Sequence, residues 1–146
     1  MTVGRVCSRE IVQCRGRETL ATVARLMMEH HVGSVVVVDD HGGEVFPVGM
    51  LTDRDIVRAA LRQNATLDRL TAADATSPDP LVVRAEDDLA EAIEQMLGRG
   101  VRRAPVLDAA GRLVGVVAVD DLIGYLAEQA AKLARLVERQ PQRERL

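Results

Sequence analysis

The sequence repeats itself, and a repeat of this length constrains the architecture before any single residue does. GMLTDRD at 49–55 is echoed by GVVAVDD at 115–121, SVVVVDD at 34–40 by RAPVLDA at 103–109, and LATVARLMMEHHV at 20–32 by LAEAIEQMLGRGV at 89–101. The offset is 69 residues through the first helix and strand, then 66 after the turn. The second copy is therefore three residues shorter where DDHGGEVFPVG becomes DAAGRLVG. A surface turn absorbs such a change at little cost.

Each copy has a readable local order. Leu20, Val23, Ala24, Met27 and His31 recur at helical spacing, as do Leu89, Ala92, Ile93, Met96 and Gly100. The β-branched run Val35–Val38 suits a strand buried on both faces. Residues 39–43 and 108–111 carry turn chemistry, and Gly98-x-Gly100 reads as a helix stop. Second strands are expected over Val48–Leu51 and Leu113–Val117, each leading into a helix near Thr52 or Val119. Short extended pieces, Ile11-Val12 and Leu81-Val82, precede the first helices. The unit is β-α-β-β-α, twice, in an α/β fold. The expected divisions are repeat one at 7–62, a linker at 63–75, repeat two at 76–127 and a helical extension at 128–146. Units of about sixty residues bury little surface alone, so the two are expected to pack together.

Composition excludes several function classes. A net charge of −3 gives no general grip on nucleic acid or an anionic membrane. Phe46 and Tyr125 are the only aromatic residues, too few for a base-stacking platform. The longest apolar run is far short of a membrane span, and the start carries no signal-peptide pattern, so the expected compartment is the cytoplasm. Cys7 and Cys14 are too few for a disulfide scaffold. With His30, His31 and His41 they show neither the C-x₂₋₄-C nor the H-x₃₋₅-H spacing of a zinc site, so a metal or thiol sensor is the weaker reading. No nucleophile stands at a recognisable spacing from a base, and no Gly-rich phosphate loop occurs. A catalytic role is not expected.

Thr52-Asp53-Arg54-Asp55 supports two compatible readings. Thr52 and Asp55 have the spacing of a capping box, with Asp53 and Asp55 adding favourable charge of about 0.3–1 kcal/mol to the first helical turn. The same hydroxyl and carboxylate can also face a ligand. A carboxylate repels phosphate but accepts from both hydroxyls of a ribose, and the helix-end amides behind Thr52 suit an anion.

The tandem arrangement resembles the CBS-domain pair, the regulatory module named after cystathionine β-synthase, from about Cys7 to Tyr125. The resemblance is carried by the Met pattern ending each first helix, the A-P-V-L-D strand of repeat two and the G-φ-φ-[ST]-x-x-D stretch, φ being aliphatic. It implies two repeats packed sheet against sheet about a pseudo-twofold axis, with two related sites between them. The ligand it implies contains adenosine: AMP, ADP, ATP or S-adenosylmethionine. It places Asp55 on the ribose, Thr52 on ribose or phosphate, and the stretch Thr76-Ser77-Pro78 near the base. In repeat two Asp121 takes the ribose position, but Ala118 stands where repeat one has Thr52, so the second site lacks a hydroxyl; if only one site is filled, it is expected to be the one built on Asp55. Met50 and Leu51, with Pro80 and Leu81, are the candidate walls for an adenine ring. Arg102 and Arg103 are the candidate phosphate cations, their alternative being a surface pair or a salt bridge to Glu86 or Asp87.

The function this implies is a non-catalytic sensor whose shape is read by an as yet unidentified protein partner. The rival is a ligand-free interaction or stress-response module, in which Thr52–Asp55 only caps a helix. Pairs of this kind commonly join as flat disks. Met27-Met28 and Met96-Leu97 are adjacent on their helices, about 100° apart, and so exceed one inward stripe; a homodimer through them is expected. Apolar residues from Leu122 to Val137 also recur at helical spacing, beyond what such a module needs. That stretch either folds back or serves self-association or partner docking, with an Arg-rich solvated end over 139–145.

Overall fold

The computed structural model describes residues 1–77 and 79–144, with side chains described through Arg139. Pro78 and Arg145, named above, lie outside the described residues. The first repeat holds β1 (Gln13–Arg15), α2 (Leu20–His30), β2 (Ser34–His41), β3 (Glu44–Thr52) and α3 (Asp53–Gln63). The second holds β4 (Val83–Arg84), α5 (Leu89–Arg99), β5 (Arg103–Leu107), β6 (Leu113–Ala118) and α6 (Val119–Glu144). Two short helices, α1 (Val3–Val6) and α4 (Ala72–Ala75), precede them. Each repeat forms a three-stranded sheet, in the orders β1-β2-β3 and β4-β5-β6, with the first pair parallel and the second antiparallel. This is the expected α/β architecture.

Helices form where the apolar period predicts. α2 starts behind Thr19, whose hydroxyl accepts from the Thr22 amide, and α2 and α5 stop at left-handed caps, His31 and Gly100. Leu20, Val23 and Met27 are buried on α2, and Leu89, Ala92 and Met96 on α5. Val35 and Val37 join the core under α2, whereas Val36 and Val38 point to the opposite face of the sheet and are just as buried. On that face β3 packs against β5 and β6, so the two sheets face each other. The unbroken valine run is explained: both faces of β2 are covered.

Two local details differ from the sequence expectation, and a third bears it out. β2 runs on to His41 because Gly42 and Gly43, both at positive φ, make a two-residue turn that keeps Asp39–His41 paired with β3. The short first strands begin two residues later than Ile11 and Leu81, which instead supply cleft walls. The shorter second turn is held by Asp108, whose carboxylate accepts from the Ala110 and Arg112 amides; these contacts hold its carboxyl below the usual range, the Arg112 amide most.

α1 and α4 were not foreseen, and they exchange places. The Leu20 amide donates to the Leu70 carbonyl, and 69 residues on the Leu89 amide donates to the Met1 carbonyl. The Ala72 and Ala73 amides donate to Glu18 and Gly16, and the Val3 and Gly4 amides donate to Asp87 and Ala85. Leu70 and Ala72 complete the core of the first repeat, and Val3 that of the second. Each of these buried side chains is fixed far from its own repeat, and burying one such as Leu70 or Val3 contributes roughly 1.5–3 kcal/mol. Residues 63–75, expected as a plain linker, therefore end in a core element.

The segment after each short helix lies against a strand glycine of the opposite repeat. A Cβ on Gly49 would stand 2.1 Å from Thr76 Cγ2, and one on Gly115 would stand 2.7 Å from the Ser8 carbonyl oxygen and 2.8 Å from Cys7 Sγ. Thr76 cannot turn aside freely, because its hydroxyl donates to the Ala72 carbonyl at 2.6 Å. Gly49→Ala is expected to destabilise the fold by roughly 1–3 kcal/mol in chemical denaturation. Thr76→Ala should cost less in the Gly49→Ala background than alone; additive costs would contradict the contact.

Candidate ligand clefts

The exchange sets the start of each repeat beside the end of the other, and two clefts form where they meet. One, of about 740 Å³, lies between Thr52, Asp53, Arg54 and Asp55 of the first repeat and Ser77, Asp79, Pro80, Leu81 and Arg99–Arg103 of the second. The other, of about 620 Å³, is its pseudo-symmetric counterpart, with Ser8, Glu10, Ile11 and Val12 facing Val116, Ala118, Asp120 and Asp121. Ser34, Met50 and Arg103 line both.

At the larger cleft the capping box is complete. Thr52 Oγ1 accepts from the Asp55 amide at 3.1 Å, and Asp55 Oδ2 accepts from the Thr52 amide at 3.0 Å. The cap uses one carboxylate oxygen and leaves Asp55 Oδ1 and the Thr52 hydroxyl proton outside it. Both residues are half-buried at the cleft wall. The helix cap and a ligand-facing edge thus coexist in the same two side chains.

Of the residues singled out in the sequence, Met50, Thr52, Asp55, Pro80, Leu81, Arg102 and Arg103 meet in this cleft. Asp121 lines the other. Leu51, expected beside Met50 as a wall, instead points to the opposite side of β3 and is fully buried in the first core, as strand alternation requires. Thr76 sits over Gly49, with Ser77 taking its place in the cleft. Val101 and Arg99 were not singled out; the 69-residue offset relates them to Val32 and His30, which line the other cleft.

The two clefts differ in charge. The larger has Arg54, Arg99, Arg102 and Arg103 against Asp53, Asp55 and Asp79. Arg99 is engaged, donating to the Asp79 carbonyl and lying 3.8 Å from its carboxylate. Arg102 and Arg103 are exposed and form no salt bridge with Glu86, Asp87 or any other acid among the described residues. The smaller cleft sets Glu10, Asp120 and Asp121 against Arg103 and the imidazole of His30. Ala118 offers no hydroxyl to cap α6, and Asp121 takes no hydrogen bond among the described residues.

Residues 3–62 and 72–128 match the CBS domain family. The chain belongs to the CBS-domain family. As a CBS pair it is 32% identical to an uncharacterized protein of Methanopyrus kandleri over 84% of its own length, although it spans only 61% of that protein. It is 34% identical to hypoxic response protein 1 of Mycobacterium tuberculosis over 89% of each chain. A crystal structure of hypoxic response protein I with two coordinated zinc ions superposes with a TM-score of 0.72 at 30% identity, covering 84% of this chain and 97% of that one. The CBS domain pair of protein MJ0100, in complex with 5′-methylthioadenosine and S-adenosyl-L-methionine, shares the fold with a TM-score of 0.75 at 21% identity, covering 88% of this chain and 98% of that one. No helix among the described residues is long and apolar enough to cross a membrane.

The cysteines belong to different parts of the CBS pair. Cys14 is buried in the first core, and Cys7 packs against the second. Burial, helped by the charge of Glu18, pushes the Cys14 thiol up to about 11; burial also raises Cys7, with Arg9 opposing. Among the described residues no three His, Cys, Asp or Glu side chains are grouped as a metal site would need. The raised pKa of Cys14 gives a stability statement. Relative to its ordinary value of 9.0, the thiol stabilises the fold below pH 9 and loses that contribution as pH rises through about 11. Between those limits the parent should lose stability faster than Cys14→Ala in denaturant titrations, and parallel curves would count against a buried neutral thiol.

Proposed function

We propose that this CBS pair is a non-catalytic regulatory module that holds an adenosine-containing ligand in the larger cleft. The observation that carries the reading is the convergence there of three elements: the Thr52–Asp55 helix end, the apolar walls of Met50, Pro80, Leu81 and Val101, and Arg102 and Arg103, two arginines without acidic partners among the described residues. Asp55 Oδ1 accepts from ribose hydroxyls, and the Thr52 hydroxyl donates to ribose or phosphate. The base lies between the aliphatic walls, and Arg102 and Arg103 meet phosphate oxygens. That another CBS pair is in complex with 5′-methylthioadenosine and S-adenosyl-L-methionine supports a nucleoside in a cleft of this fold. Residues of both repeats close on one ligand, so occupancy biases their relative orientation, and that orientation is the output a partner reads.

The rival reading, a ligand-free interaction or stress-response module, is favoured by one observation: the capping box is complete, so Thr52 and Asp55 have a structural role without any ligand. Likeness to a hypoxic response protein fits it. A metal or thiol sensor using Cys7 and Cys14 draws on the two zinc ions coordinated in the structure of hypoxic response protein I, and the separation of these cysteines between the two cores speaks against it.

A thermal-shift series with AMP, ADP, ATP and S-adenosylmethionine separates these readings. A ligand at a hundredfold its dissociation constant should stabilise the protein by about 2.7 kcal/mol. Asp55→Ala should remove the shift and Asp121→Ala should weaken it less, while Asp55→Asn should keep the cap but not the shift. Flat melting curves with all four compounds would favour the ligand-free module.

The same reading includes a homodimer. Met28 and Leu97 are 77% and 76% exposed while their neighbours Met27 and Met96 are buried, so the second residue of each pair faces outward from its own core. Val57 on α3 and its repeat-two counterpart Ile123 on α6 are exposed as well. A twofold dimer covers equivalent surfaces with their own copies. Light scattering at micromolar concentration should give a mass near twice 15.9 kDa, falling toward the monomer in Met28→Glu and Leu97→Glu without unfolding. A monomeric parent would contradict it.

A further inference from the structure

α6 is 26 residues long, about 39 Å, more than twice the length of α3, its counterpart in the first repeat. Leu122 and Tyr125 hold its root against the core of the second repeat. From Leu126 onward the helix does not fold back on its own module: Leu126, Leu133 and Val137 are 52%, 63% and 69% exposed. A contiguous exposed apolar stripe on a long helix marks a surface for association.

The stripe has the spacing of a coiled-coil seam. Ile123, Leu126, Ala130, Leu133 and Val137 are separated by three, four, three and four residues, a period of 3.5 rather than 3.6. Set as heptads, Ile123, Ala130 and Val137 fall at a, and Leu126 and Leu133 fall at d. The flanking e and g positions are Ala127, Gln129, Ala134 and Leu136, none of them charged. Every charge from Glu128 to Arg139 lies at b, c or f, on the far side of the helix, where Lys132 lies 3.7 Å from Glu128.

We infer that the α6 helices of two copies of this chain pair in parallel along that seam. β-branched Ile123 and Val137 at a, on either side of the small Ala130, with Leu126 and Leu133 at d favour two parallel strands. With no charge at e or g, in-register copies bring no like charges together, and nothing in the seam selects a foreign helix by charge. The seam runs over little more than two heptads, so pairing is concentration-dependent rather than permanent. It shares Ile123 with the exposed faces described above but does not use Met28 or Leu97, and it stands whether or not those two residues join.

The test introduces one cysteine into the full chain. In a parallel pair the two copies of position 137 come within disulfide reach, whereas antiparallel strands centred on Ala130 would put them about two helical heptads from each other. Val137→Cys under mild oxidation should give a covalent dimer as the main species at high protein concentration, with the parent uncrosslinked as control. The added pair Leu126→Glu/Leu133→Glu should cut the crosslinked fraction at least tenfold, with an unchanged thermal midpoint showing that the body is intact. The crosslink should survive Met28→Glu/Leu97→Glu. Absence of the crosslink, or its persistence with both leucines replaced by glutamate, overturns the proposal.

Discussion

The reciprocal exchange of the two short leading segments is the constraint on which the other features rest. Neither repeat is complete by itself: the first lacks Leu70 and Ala72, and the second lacks Val3. The backbone amides of Leu20 and Leu89, at the start of each main helix, find their carbonyl partners in the segment that leads into the other repeat. Those amides belong to the helix-end donors that no intrahelical bond can satisfy, so the exchange supplies both hydrogen bonds and apolar cover. Burial and polar satisfaction then favour the same arrangement, in which the two halves fold as one cooperative body.

The clefts are a consequence of that exchange. Each crossing segment passes over a strand glycine of the opposite repeat and continues into cleft-wall residues, Pro80 and Leu81 on one side and Ile11 and Val12 on the other. A Cβ at Gly49 or Gly115 would lift the segment and move the wall with it. Near-equal backbones then acquire unequal chemistry by substitution. Gly33 and Ser34 become Arg102 and Arg103, and Thr52 becomes Ala118, so one cleft gains cations and a capped helix end while the other is left acidic.

Most of the architecture was legible in the sequence because period and repeat report on burial, and burial decides the fold. The helices over 20–30 and 89–99, the valine strand and the capping box were readable from spacing alone. The exchanged helices were not. Val3–Val6 and Ala72–Ala75 share no residue at equivalent positions, and four residues are too short to show a period. Only the alignment of their 69-residue offset with that of the longer elements marks them. Leu51 was misplaced because an apolar pair such as Met50-Leu51 does not reveal which member faces inward; the register with Val35 and Val36 settles it. The fate of α6 was open for a similar reason, since an amphipathic stripe states that a cover exists without saying whose.

Arg103, Met50 and Ser34 belong to both cavities, so the two are adjoining rooms with a common partition. A guanidinium ordered toward one side is withdrawn from the other, and a methionine flattened against one ligand reshapes the opposite wall. Linkage makes any such influence mutual: whatever factor one occupant imposes on the affinity of its neighbour, the neighbour returns. On the proposed reading, an occupant of one room resets the side chains it shares with the next, and stoichiometry and affinity then have to be measured together.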